Sequence, residues 1–174
     1  MRGLTDREKL GEFMRALGAA AQAPARAYFT GGVSAVLMGW RDSTIDIDLA
    51  IEPERDELLR AFPELKERLT INIELVWPPH FLPELPGWRD RCPFIAQEGR
   101  LAFHHFDFFS QALTKIERGH AQDLEDVRAM LRDGLVEGAE LRRLHEAIVP
   151  MLYRYPAVDP ESLRSALNDA LGAP

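Results

Sequence analysis

The sequence has a single cysteine, Cys92, among its 174 residues. One thiol cannot close an internal disulfide or build a metal cluster, so disulfide-stapled and cysteine-ligated classes are excluded. It also lacks any run of the ~18 apolar residues that a membrane-spanning helix needs. Its opening, Met1-Arg2-Gly3-Leu4-Thr5-Asp6-Arg7-Glu8-Lys9, has no apolar core of the kind a secretory signal requires. No membrane contact and a cytoplasmic location are therefore expected. Internal repeats and low-complexity stretches are missing. So is any long basic block: 21 Lys and Arg stand against 28 Asp and Glu, for a net charge of −7. Broad binding to nucleic acid needs clustered cations and is disfavoured. A local cationic cleft for a polyanion such as a nucleoside triphosphate remains open.

What is present is ordinary globular material, 46% apolar and 28% charged, enough to bury a sizeable core. Residues 6–22 read as a helix, with Leu10, Phe13, Met14 and Leu17 at helical spacing and Thr5 or Asp6 as cap. Residues 26–30 read as a strand broken by Gly31-Gly32, and 33–39 as a short buried helix. Residues 45–51 and 71–77 alternate with period two, which predicts strands. Residues 54–69 between them read as a helix bent near Pro63. Residues 78–92 read as a loop, and 94–96 with 101–105 as a hairpin. Helices follow at about 107–118, 121–133, 137–153 and 160–171. The expected fold class is α+β: a mixed sheet flanked by helices over residues 1–106, then a helical region over 107–174 packed on it.

The chemistry concentrates in two stretches, Phe29-Thr30-Gly31-Gly32-Val33-Ser34 and Arg41-Asp42-Ser43-Thr44-Ile45-Asp46-Ile47-Asp48-Leu49. Two glycines permit a sharp turn and leave no Cβ in a ligand's way, and the residues after them open a helix whose free N–H groups favour an anion. Ser34 would offer a hydroxyl there. A plain turn is the competing reading. Asp46 and Asp48, two apart on a strand, face the same way. A Mg²⁺ ion would relieve their repulsion, since it prefers carboxylate and phosphate oxygens; Mn²⁺ is the other candidate. The competing reading is a solvated strand face. Glu74, on the next strand, joins that face if the two strands pair, and Asn72 lies there too with no assigned role. Otherwise Glu74 is an exposed strand residue. The adjacent His104 and His105 face opposite sides of a strand and cannot act as a ligand pair.

Gly-Gly-x-Ser followed by Asp-Ile-Asp resembles the nucleotidyltransferase superfamily, which includes DNA polymerase β. The form Arg41-x-Ser43-x-x-Asp46-Ile47-Asp48-Leu49 is most similar to the AbiEii-type toxin nucleotidyltransferases and their minimal relatives. Leu113-Thr114-Lys115-Ile116-Glu117-Arg118 with Asp123-Leu124-Glu125-Asp126-Val127 looks like that group's helical motif. The resemblance implies a polymerase-β-like fold and Mg²⁺-dependent transfer of a nucleoside monophosphate from an NTP to an acceptor hydroxyl. It implies Asp46, Asp48 and Glu74 as metal and catalytic residues, with Glu74 standing where the family more often has Asp. It implies Gly31, Gly32, Ser34, Arg41, Lys115 and Asp123 on the nucleotide side. A salt-laced helix surface is the competing reading of Lys115. The acceptor classes implied are tRNA, a protein or a small molecule. The alternatives are a catalytically degenerate protein that binds a nucleotide or a partner protein, a toxin–antitoxin component, and a glycosyltransferase using Asp-x-Asp, which leaves Gly31-Gly32 unexplained.

Overall fold

The computed structural model describes residues 3–172. The chain forms two units, the first holding the chain through Val76 together with Cys92–Phe106, the second holding Trp77–Arg91 and the chain from Asp107 onward. The architecture is α+β, with a mixed five-stranded sheet and seven α-helices among the described residues.

The first unit contains β1 (Thr5–Asp6), α1 (Arg7–Ala20), β2 (Ala25–Phe29), α2 (Gly32–Met38), β3 (Ser43–Thr44) and β4 (Asp46–Glu52). It continues with α3 (Asp56–Arg68), β5 (Asn72–Leu75), β6 (Phe94–Glu98) and β7 (Leu101–His105). The sheet order is β5-β4-β2-β7-β6. Strand β4 runs parallel to β5 and antiparallel to β2, β2 runs parallel to β7, and β6 and β7 form the hairpin. Helix α1 starts where the Asp6 carboxylate accepts the Lys9 amide at 3.0 Å, a side-chain cap on an otherwise orphan donor. Its stripe of Leu10, Phe13, Met14 and Leu17 is buried in one core with Ala27 and Phe29 of β2, Ile47 and Leu49 of β4, Ile73 of β5 and Phe103 of β7. Leu58, Phe62 and Leu65 of α3 join it, the helix running through Pro63.

The alternation holds in the middle of both strands and fails at the ends. Ile47, Leu49, Ile71 and Ile73 are buried, whereas Ile45 is 67% exposed and Leu75 is 52% exposed. Ile45 sits in a bend between β3 and β4, where the Thr44 hydroxyl donates to the Asp46 carbonyl at 3.1 Å. Strand β3 pairs with β1 in a small separate ribbon, so the chain changes direction before Asp46 and carries Ile45 off the core face.

In the second unit, α4 (Phe108–Arg118), α5 (Ala121–Arg132), α6 (Gly138–Ile148) and α7 (Pro160–Leu171) follow the predicted helices closely. Helix α6 ends at Ile148, and residues Val149–Arg154 continue as a 3-10 helix around Pro150. A proline has no amide to give the preceding turn, so the α-helical ladder stops there. The segment Trp77–Arg91, which takes in most of the 78–92 stretch expected as a loop within residues 1–106, belongs to this unit and holds two 3-10 turns, Pro78–His80 and Trp88–Arg91. Arg91 clasps the buried Asp107 with Nε–Oδ1 and Nη2–Oδ2 distances of 3.0 and 2.8 Å, and Asp107 caps α4 by accepting the Phe109 and Ser110 amides. The Tyr155 hydroxyl donates to the Pro79 carbonyl at 2.7 Å.

Two buried imidazoles make this fold sensitive to acid. Burial, with a smaller push from His104, holds His105 down to about 4, and burial also lowers His145. In the unfolded chain an imidazole takes up its proton near pH 6.5. Between pH 6.5 and 4 the unfolded state therefore binds more protons, and stability falls as the pH drops through that window. For His105 the loss amounts to about 3 kcal/mol. Urea unfolding across this range should show a shallower slope in His105→Asn than in the parent. Equal slopes would mean that the ring titrates like an exposed one.

Candidate functional site

Strand β4 fixes the site's orientation. With Ile47 and Leu49 at 0% exposure in the core, Asp46 and Asp48 must stand on the opposite side of the sheet. Strand β5 lies beside it in parallel register, Asp46 opposite Asn72 and Asp48 opposite Glu74. In-register neighbours share a face, so both aspartates, Asn72 and Glu74 lie together. Asp46, Asp48 and Asn72 are half-buried and Glu74 is exposed. The Asn72 amide donates to Asp46 Oδ1 and, at 3.2 Å, to Glu74 Oε1. A neutral donor thus sits between two of the three carboxylates and offsets their mutual repulsion.

The glycine turn lies against the same carboxylates. The Thr30 amide bonds the Asp48 carbonyl at 3.1 Å, and the chain then turns at Gly31 with φ of +63° and ψ of −134°. That region of backbone space belongs almost wholly to glycine. A Cβ on Gly31 would stand 2.7 Å from Asp48 Oδ2, and one on Gly32 would collide with the Thr44 side chain. The guanidinium of Arg41 is 3.5 Å from the same Gly32 position. Gly31, Gly32, Arg41, Asp46, Asp48 and Glu74 are therefore brought together.

Ser34 is placed differently. It is completely buried, with its Oγ 2.9 Å from His105 Nδ1 and 3.3 Å from the Phe29 carbonyl oxygen. Its hydroxyl is engaged inside the unit, so a ligand on the surface does not meet it. Sequence reasoning assigns Asn72 no role and treats His105 only as unable to form a ligand pair with His104. The clue to Asn72 was its place two residues before Glu74, whereas nothing local to β7 links His105 to Ser34.

Lys115 and Asp123 lie in the second unit, on α4 and α5. Lys115 Nζ is 2.7 Å from Asp126 Oδ2 and 3.3 Å from Asp123 Oδ1, and Arg118 Nη2 is 2.7 Å from that same Oδ1. Lys115, Asp123 and Asp126 are all buried. The cluster is a charge-balanced interior network rather than a solvated helix surface.

All-oxygen donors such as Asp46, Asp48 and Glu74 suit a hard cation, magnesium or manganese. Among the described residues no three His, Cys, Asp or Glu side chains group closely enough to form a metal cluster by themselves. Comparison with protein-family models, curated proteins and solved structures finds no match, so the resemblance rests on the motif residues alone.

Two stability measurements probe this geometry. Gly31→Ala combines an unfavourable φ with a clash against Asp48, while Gly39→Ala has a φ of +82° and open space around it. Each should lose about 1–3 kcal/mol for the backbone, and Gly31→Ala should lose clearly more in urea unfolding. Equal losses would show that the turn does not lean on Asp48. Lys115→Ala leaves Asp126 buried without its cation and should cost ~3–5 kcal/mol in the same assay. A loss below ~1 kcal/mol would mark the network as solvent-screened.

Proposed function

We propose that this chain is a metal-dependent nucleotidyltransferase that moves a nucleoside monophosphate from an NTP to an acceptor hydroxyl. The observation that carries the reading is the in-register pairing of Asp46 and Asp48 with Asn72 and Glu74 on one sheet face, with the Gly31 backbone pressed against Asp48. A carboxylate set beside a glycine turn is what metal-bridged triphosphate chemistry needs: ligands for a cation, and main chain without side chains where phosphates approach.

In this reading Asp46 and Asp48 hold the divalent cation, Mg²⁺ or Mn²⁺. When bound, the ion neutralises charge on the triphosphate and makes the α-phosphorus a better target. The turn at Gly31 and Gly32 gives the phosphates close access to the backbone, and Arg41 beside Gly32 supplies positive charge. Glu74, exposed at the rim, either joins a second ion or takes the proton from the acceptor hydroxyl. Ser34 is engaged behind the turn, where no ligand meets its hydroxyl. Lys115 is already neutralised by Asp123 and Asp126, and no step is assigned to it.

One observation favours a second reading, a protein that binds a nucleotide or a partner without catalysis. The Asn72 amide bonds both Asp46 and Glu74 and so stands where a cation shared between them would stand. Incubation with each labelled NTP, Mg²⁺ or Mn²⁺, and cell extract separates the two. Under the transfer reading a labelled product forms, and Asp46→Asn lowers its rate by ~10³-fold or more through loss of a metal ligand. The melting temperature of the parent should rise with Mg²⁺ and NTP together, which bind the folded state, and that of Asp46→Asn should rise much less. A metal-dependent rise without product supports the binding reading. A flat melting temperature and no product would remove both.

A further inference from the structure

Transfer at the carboxylate face leaves one buried polar pair without a task, Ser34 and His105. Ser34 is the third residue of α2, and His105 ends β7 directly opposite Phe29, the last residue of β2. Four groups meet there: Ser34 Oγ lies 2.9 Å from His105 Nδ1, and the Phe29 carbonyl accepts from Ser34 Oγ at 3.3 Å and from the Phe106 amide at 2.7 Å. A serine hydroxyl has one proton to give. The Phe29 carbonyl has lone pairs for both that hydroxyl and the Phe106 amide, and Oγ keeps lone pairs of its own for a proton on His105 Nδ1.

We infer that His105 is a positioning residue for the Gly31–Gly32 turn, acting through Ser34 to fix how α2 leaves β2 and thereby to hold the Gly31 backbone against Asp48. Two adjacent glycines are the most permissive joint the chain can have. Helix α2 has only seven residues, too few to hold a direction by itself, so its setting must come from tertiary contacts. Val33 and Val36 bury it, but apolar packing is non-directional. The Ser34–His105 contact is directional and ties α2 to a neighbouring strand, β7.

The functional meaning of this inference rests on the nucleotidyltransferase reading, but its structural content does not. The test uses the full chain and three variants: His105→Leu, which keeps bulk and removes the polar atom; Ser34→Ala, which removes one oxygen; and His105→Asn, whose amide reaches the place of Nδ1. The Gly31 and Gly32 amide resonances report the turn, and steady-state transfer from Mg²⁺ and NTP reports its use. In His105→Leu and Ser34→Ala the two glycine resonances should broaden or double, and KM for NTP should rise about tenfold with kcat less affected, which is the signature of a displaced binding turn. His105→Asn should restore both. Single, sharp parental glycine resonances in His105→Leu overturn the inference, as does an Asn variant no better than Leu. Should His105→Leu not fold, Ser34→Ala decides by the same resonances. Should the parent show no response to Mg²⁺ and NTP, the nucleotidyltransferase reading falls, while the glycine resonances still decide whether His105 sets the turn.

Discussion

The parallel pairing of β4 with β5 is the constraint on which the candidate site depends. Strand β4 is an interior strand, bonded to β5 on one side and β2 on the other, and it places Ile47 and Leu49 in the core. A slip of one residue would carry Asp46 and Asp48 into that core and expose the two apolar side chains. Desolvating two carboxylates without partners costs far more than any local gain could return. The register is thus enforced by the core, and the grouping of carboxylates on the far face follows from it. Glu74 reaches the same face because a parallel, in-register neighbour has no other choice once Ile73 is buried.

That face carries a cost which its neighbours reduce in two ways. Asn72 donates to Asp46 and Glu74, and a neutral amide does this without adding a fixed charge. The bend at Ile45 and the ribbon of β1 with β3 keep the start of β4 off the core, so Asp46 stays half-buried. The glycine turn then comes close to Asp48 because nothing projects from Gly31. These features depend on one another: a side chain at Gly31 would push on Asp48, and a displaced Asp48 would lose its register with Glu74.

Much of this was legible in the sequence, and the parts that were not share a cause. Period-two runs point to β4 and β5, and helical spacing points to α1, because each pattern is local and repeats several times. Ile45 and Leu75 fitted the pattern but lie at strand ends, where pairing partners decide and composition does not. The β1–β3 ribbon has two residues per strand and no period to detect. The placement of Trp77–Arg91 depends on Arg91 meeting Asp107, a contact between a segment and a helix cap that proline content cannot reveal. The polymerase-β-like fold itself remains an expectation of the motif, since mixed five-stranded sheets with helices arise in many settings.

Ser34 and Lys115 show how burial redirects a side chain whose chemistry alone would suit a ligand. Ser34 reads as a ligand contact from its hydroxyl after a glycine turn, and Lys115 from the helical motif that the resemblance supplies. In the fold both are buried among partners that use that chemistry up, Ser34 at His105 and Phe29, Lys115 at Asp123 and Asp126. A buried ammonium between two carboxylates has its charge neutralised locally, and moving it toward a triphosphate would strand both aspartates. A buried serine bonded to a buried imidazole transmits position instead of binding from solvent. Asp46, Asp48 and Glu74 differ because the core holds their strands and leaves their side chains accessible. Residue type states what a group can do, and burial states toward what it does it; the carboxylate face is where the two agree.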